Sequence, residues 1–599
     1  MSQPTTPAFI QGTKQLLIGG QWVDPASSQY IDAINPATGE LLCRFAQGNA
    51  QDVDRAVAAA RKAFEGPWSR FSAHERRKLL LKVHDAIMDN FEELALIETL
   101  DMGAPLARTR GYKEWLSQLL QFYASHTGIA GSAVGTPVSI APGFMALKHL
   151  VPQGVVGGII PWNGPLMGLW WIYGPALATG CTAVLKPAED ASLSSLRVSE
   201  LMMEAGVPDG VINVVTGYGK DVGQTLAEHM GVDRLAFTGS VGTAQAIVRA
   251  SAGNLKRLQL ELGGKSPDIV FADADLDQAV PGAAMGVFTN TGQVCVGIER
   301  AYVVGEVYDE FVAQLVRSTV GLRLGAGYDW QTDVGSLASA KQFAAVTAHV
   351  EDAVAKGATV LAGGRARPDL GPLMYEPTIL TDVTKEMTLC REETFGPVLA
   401  VYRVESEEAA IAAANDLAPD VVVLDINLGA GPSGMDVLHD LDAAHPSPRV
   451  LMVTVFDNDI DILARCQLSR VIDPGEARQV DTAFARAVAR ADRDDFDRPV
   501  GTAFDQRGIG IEHLDDTAAD GAKSGQADAE GFGHATVLYS VRLPLRGLSQ
   551  SARPERDCRA ASAAATPILW RRVPQPGTPP WPAGPRRRAS HRRRAPART

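Results

Sequence analysis

The segment Phe288 to Glu299, FTNTGQVCVGIE, carries one of only six cysteines in a chain of 599 residues. A structural cysteine ordinarily lies in an apolar run. Cys295 instead follows a polar, glycine-bearing turn, which raises the chemistry of a thiolate nucleophile. Such a thiolate needs help in ionising, a base, and hydrogen-bond donors for the oxyanion formed when it adds to a carbonyl. Two other segments offer those parts. In LQLELGGKSPDIV, Glu261 stands just before a Gly263-Gly264 turn that leaves its carboxylate reachable. In IIPWNGP, Asn163 supplies a side-chain amide whose N–H donates without giving up its proton. Singly, each residue also has an ordinary reading: a core thiol, a solvated carboxylate, a turn asparagine.

These residues need a scaffold, and the hydrophobic pattern suggests one. Between about residues 50 and 100, apolar residues recur at three- and four-residue spacing, which predicts helices over DVDRAVAAARKAF and HERRKLLLKVHDAIMDNFEELALIETL. From about 151, short apolar runs alternate with helical stretches. VVGGIIPWN, CTAVLKP, GVINVVTG and DRLAFTGS read as strands, separated by PLMGLWWIYGPALATG, SLSSLRVSELMMEAG and DVGQTLAEHM as helices. The second of these helices is closed by Gly206. This alternation predicts an α/β fold with a doubly wound parallel sheet. Ligands of such sheets bind at the carboxyl ends of the strands, here marked by Asn163, Lys186 and Gly239. A second α/β region is expected from 262 to about 417.

Composition narrows the class. The chain is 46% apolar and 21% charged, as globular proteins are, and its net charge of −13 argues against a nucleic-acid-binding body. No apolar run of about 18 residues suggests a membrane span. The N-terminal segment lacks the basic start and apolar core of a secretory signal. The cysteines, with no C-x-x-C pair, suit neither a disulfide framework nor a metal site, and the expected compartment is the reducing cytoplasm.

Taken together, LELGGKSP (260–267) and FTNTGQVCVGIE resemble the two active-site signatures of the aldehyde dehydrogenases. PWNGP, LKPAE, FTGS and EETFGP occur in that family's order and approximate spacing, over about residues 16–417. The resemblance implies a dinucleotide-binding domain (16–261) and a catalytic domain (262–417). It also implies oxidation of a small-molecule aldehyde to a carboxylic acid, with Cys295 as nucleophile, Glu261 as general base and Asn163 as oxyanion donor. The retained glutamate argues against a coenzyme-A acceptor. The cofactor contacts it implies are Ile160, Pro161, Trp162, Lys186, Glu189, Gly239, Ser240, Glu393 and Phe395. A carboxylate at Glu189 would repel a ribose 2′-phosphate, which favours NAD and leaves NADP as the alternative. Ala244 stands where the family commonly has glycine, a difference that bears on how the pyrophosphate is placed. Gly164 and Gly168 stand where bulkier residues are common, and with Met167, Trp170 and Trp171 they imply a roomy, apolar pocket for a larger aldehyde. Strands near 133–151 resemble the family's oligomer-forming ones, which implies a homo-oligomer.

After AANDL the resemblance stops, which leaves the catalytic domain incomplete. PDVVVLDINLGAGPSGMDVLHDL and PSPRVLMVTVFDND resemble part of a response-regulator receiver domain (418–459), with Asp425 at the phospho-acceptor position and Thr454 at the switch hydroxyl. The acidic pair that would hold magnesium does not precede it, and beyond Lys385 the only lysine is Lys523. Asp425 is therefore expected to be a strand-end residue and not a phosphorylation site. From Arg553 the tail holds twelve arginines and no lysine. Residues 460–599 are expected to be an irregular, disordered tail, consistent with a rearranged or frameshifted gene.

Overall fold

The computed structural model describes residues 6–130, 136–138, 146–148, 150–407, 409–410, 413, 421–425, 449–453 and 569–570. Two sheets organise the chain. The first has seven strands in the order Arg257–Leu262, Arg234–Gly239, Val155–Ile159, Thr182–Lys186, Ile212–Val214, Leu16–Ile18, Gln21–Val23. The first five run parallel, and the last two add antiparallel at one edge. Every residue of Val155–Ile159 and Thr182–Lys186 is buried, as expected for parallel strands covered on both faces. The chain starts at Val155–Ile159, winds outward through Thr182 and Ile212, then returns to pair Arg234–Gly239 on the other side. That reversal makes a crevice at the strand ends, between the loops after Ile159 and after Gly239.

The second sheet orders Thr359–Ala362, Thr378–Thr381, Val398–Val404, Ile298–Val304, Ser266–Val270 and Leu569–Trp570, with only the first strand antiparallel to its neighbour. The chain passes between the sheets through Gly263-Gly264. Val270, Ala301, Val303 and Val401 face Phe311 and Leu315 in one core layer. Helix Ala50–Glu65 starts with a capping box of Asn49 and Asp52, and Ala73–Asp89 with one of Ser72 and Glu75.

Some elements depart from the pattern expected above. The run expected as one helix through 74–100 is two, Ala73–Asp89 and Phe91–Met102, because the chain leaves helical geometry at Asn90. The hairpin of Leu16–Ile18 and Gln21–Val23 went unforeseen, although Gly19 and Gly20, at φ 62° and 83°, are the glycine pair that a two-residue turn requires. A second hairpin pairs Thr136–Val138 with Ala146–Lys148. Val421–Asp425 and Arg449–Val453 pair in parallel, with Asp425 at the strand end opposite Val453. The rest of the receiver-like segment, Thr454 included, lies outside the described residues, as does the arginine-rich tail apart from Leu569–Trp570. Among the described residues no helix is long and apolar enough to cross a membrane.

Candidate active site

Residues 160–164 leave the central strand at the crevice. The Ile160 N–H donates to the Lys186 carbonyl at 3.2 Å, which keeps the loop aligned with the neighbouring strand. Beyond it the Leu166 N–H, at the start of the next helix, donates to Glu98 Oε2 at 2.6 Å. Glu98 is fully buried, and desolvation pushes its carboxyl up to about 7 against the opposing pull of Leu166 N–H and Arg108. Between these anchors Asn163 is half-buried, and its Nδ2 donates to the Gln293 carbonyl at 2.9 Å. That contact brings two of the expected residues into one place, because Gln293 lies two positions before Cys295.

The cysteine loop is built from unusual backbone. Asn290, Thr291 and Gly292 have φ of 55°, 59° and 72°, three successive left-handed residues. A Cβ on Gly292 would collide with the Gly396 carbonyl, so only glycine fits. Asn290, Thr291 and Gln293 are buried, and Gln293 Oε1 accepts from the Ala338 N–H at 2.9 Å. Cys295 emerges half-buried from this turn. Burial raises its thiol above the ordinary value, and the carboxylates of Glu393 and Glu261 raise it further, while its own N–H and that of Val296 work the other way. Both glutamates therefore lie within electrostatic reach of the sulfur. Glu261 is exposed near the end of the Arg257–Leu262 edge strand.

Around the crevice, Lys186 ends its strand almost completely buried, and its Nζ donates to Glu189 Oε2 at 2.7 Å. The two expected ribose contacts thus hold each other. Gly239 ends its strand, and Ser240 caps helix Val241–Ala250 by accepting from the Thr243 N–H at 3.4 Å. A Cβ at exposed Gly242 would meet nothing within 4 Å, which leaves the helix start open to a phosphate. The methyl of Ala244 is buried in the core, so its departure from glycine does not crowd that opening.

Glu393 and Phe395 sit on a loop that Glu299 holds. The Glu299 carboxylate accepts from the Thr394 N–H at 3.0 and 3.1 Å and from the Phe395 N–H at 2.9 Å. It is ion-paired with Lys265, whose Nζ also donates to the Leu389 carbonyl at 2.7 Å. Gln342 Nε2 binds the Thr394 and Phe395 carbonyls at 3.0 and 2.8 Å. Phe395, at φ 51°, meets the Trp162 ring edge-on at 5.4 Å. Glu393 Oε1 accepts from the Gly264 N–H at 3.2 Å, and a Cβ on Gly263 would collide with that carboxylate. Burial, then Glu299, pushes Glu393 up to about 7. Glu299, Asn290, Gln293 and Gln342 were not among the residues expected from the sequence. Lys265 was in view only as part of the LGGK run.

One expectation needs correcting. Trp170 was expected to line an apolar pocket wall, but it is fully buried in the core, edge-on to Tyr173 at 6.4 Å. Trp171 lines a separate groove of about 350 Å³ with Leu150, Val151 and Gln259. Gly164 does leave space, since a Cβ there would meet nothing within 4 Å.

The aldehyde dehydrogenase family model matches residues 22–418. The chain belongs to the aldehyde dehydrogenase family. Among its relatives is the putative aldehyde dehydrogenase DhaS of Bacillus subtilis, 42% identical over 409 residues, which span 68% of this chain and 82% of the relative. The aldehyde dehydrogenase of Bacillus cereus, solved as an NAD+ complex, superposes with a TM-score of 0.70 at 36% identity, over 76% of this chain and 92% of that one. An NADP-dependent enzyme of Escherichia coli matches with a TM-score of 0.67 at 35% identity, over 75% and 91% of the two chains.

Proposed function

We propose that this aldehyde dehydrogenase oxidises an aldehyde to a carboxylic acid with NAD, through a thioester on Cys295. The observation that carries the reading is the 2.9 Å bond from Asn163 Nδ2 to the Gln293 carbonyl, which holds an amide donor beside the cysteine at the sheet's crevice. One Nδ2–H is thereby fixed, and the other is available to an incoming carbonyl oxygen.

In this reading Cys295 releases its thiol proton to solvent and adds as the thiolate to the aldehyde carbon, and the oxygen that gains charge is met by Asn163 Nδ2–H and the Cys295 N–H. NAD, when bound, would supply the acceptor for the hydride that the Cys295 adduct gives up in becoming a thioester. Glu261 then takes a proton from the water that attacks the thioester, the C–S bond breaks, and that proton passes to the departing sulfur, so the acid leaves while Cys295 regains its thiol. The exposure of Glu261 suits a base that must meet water. The open helix start at Gly242, the buried Lys186–Glu189 pair and the Trp162–Phe395 edge contact fit a dinucleotide. Ile160, Pro161, Trp162, Lys186, Glu189, Gly239, Ser240, Glu393 and Phe395 would hold it. Glu189 beside the ribose would favour NAD over NADP. The space at Gly164 supports a bulky aldehyde, and the paired strands Thr136–Val138 and Ala146–Lys148 support assembly into a homo-oligomer.

The end of the family match at residue 418 favours a second reading, a dinucleotide-binding protein that has lost turnover. The parallel pair of Val421–Asp425 and Arg449–Val453 is compatible with a receiver-like fragment from a rearranged gene. Following NADH absorbance with a panel from acetaldehyde to benzaldehyde, alongside Cys295→Ser, separates the two. NADH that depends on Cys295 supports the enzyme. No NADH, with a thermal shift on adding NAD, supports the binding protein.

A further inference from the structure

We infer that Asn290 is a positioning residue that locks the oxyanion donor to the cysteine loop. The inference rests on the proposed role of Asn163. Asn290 Nδ2 donates to the Asn163 carbonyl at 2.9 Å and to the Gln293 carbonyl at 3.0 Å. One amide thus binds the backbone of the donor and the same carbonyl that orients the donor's side chain. The tie is reciprocal. The Gln293 N–H and Nε2 both donate to the Asn290 carbonyl, at 3.0 and 3.1 Å, and Gln293 Oε1 is held by the Ala338 N–H.

Chemistry makes the amide specific. Both partners are carbonyl oxygens, so the group between them must donate twice, and asparagine provides an NH₂. Its Oδ1 is buried without a partner, so the side chain is kept for its donors. The site is 1% exposed, which leaves no bulk water to stand in. The backbone restricts the choice further: at φ 55°, asparagine and aspartate are tolerated far better than most residues. Without the crosspiece, the Asn163 segment keeps its anchors at Ile160–Lys186 and Glu98–Leu166, but its own carbonyl is no longer tied to the cysteine loop. An oxyanion donor displaced by about 1 Å can cost a hundredfold in rate.

Asn290→Asp preserves size and backbone tolerance but sets a carboxylate against two carbonyl oxygens, and Asn290→Ser restores one donor. We expect Asn290→Asp to slow the pre-steady-state NADH burst about 10- to 100-fold, with the KM for NAD within about twofold and Cys295 alkylation by iodoacetamide unchanged, since alkylation needs no oxyanion donor. Serine should give a smaller loss. Normalised to the parent, the Asn290→Asp rate should recover as pH falls and the new carboxyl gains a proton. Should the aspartate variant melt far below the parent, the serine variant carries the same comparison. A burst at the parental rate in a folded variant overturns the inference, as does a loss matched by equal loss of alkylation. Asn163→Ala run in parallel separates the two levels. If it keeps the full burst, the role of Asn163 and this inference fall together. If it loses the burst while Asn290→Asp does not, only this inference falls.

Discussion

Removing the Glu299 carboxylate should disturb the protein more than any single change to the reacting groups. In Glu299→Ala, the Lys265 ammonium, 13% exposed, keeps only the Leu389 carbonyl as a partner, and the Thr394 and Phe395 N–H groups lose their acceptor. Leaving one member of a buried ion pair alone costs about 3–5 kcal/mol. Each stranded N–H would add about 1–3 kcal/mol if the loop could not relax. Because the loop carries Glu393 and Phe395, it will move to recover those bonds, and part of the cost will appear as weaker NAD binding. Chemical denaturation together with NAD titration measures both. We expect a stability loss of about 3–5 kcal/mol for Glu299→Ala and less for Glu299→Gln, which keeps an acceptor oxygen. The double variant Lys265→Met/Glu299→Leu should lose less than the sum of its singles, because neither charge is left alone. Glu299→Ala within about 0.5 kcal/mol of the parent, with unchanged NAD affinity, would refute the reasoning.

Three further outcomes follow from the same geometry. Burial and then the charges of Glu393 and Glu261 raise the Cys295 thiol, so iodoacetamide alkylation should keep climbing with pH beyond the ordinary thiol range; Glu393→Gln should shift that profile to lower pH. Asp268 is fully buried, and desolvation raises its carboxyl well above the ordinary aspartate range against the weaker opposing pull of the Ile269 N–H. The folded state therefore holds this proton more tightly. Its contribution to stability is fully present below the ordinary aspartate pKa and declines as pH rises toward the folded value. Asp268→Asn should flatten that decline, so its stability relative to the parent should rise with pH in denaturant titrations. Gly164→Phe should fill the open space beside Asn163 and raise the KM for benzaldehyde more than that for acetaldehyde, and equal effects on both would count against a pocket there.

Much of the fold was legible because parallel strands buried on both faces are continuous apolar runs, and helices between them show their own period. The residues proposed to react stood out in the sequence as well: Cys295 by its polar turn, Glu261 by its glycines, Asn163 by its place after a strand. Groups that act on those residues were not. Glu299 looks like the polar end of the cysteine motif, and nothing local says that its carboxylate reaches the N–H groups of Thr394 and Phe395, some 95 residues later. Asn290 reads as a turn residue, and only the tertiary fold sets its amide against the Asn163 carbonyl 127 residues away. Trp170 illustrates the opposite error. Two adjacent tryptophans on one helix face different surroundings, and apolar character alone does not separate core from pocket wall.

The central claim is that the crevice performs chemistry on Cys295 and does not merely bind a dinucleotide. Rapid mixing of the full chain with NAD and a saturating aldehyde, followed by acid quench and intact mass measurement, tests it most directly. We expect an NADH burst close to one equivalent per active chain, with an acyl adduct on Cys295 that persists longer in Glu261→Gln. NAD binding with no burst and no adduct for any aldehyde in the panel would contradict it.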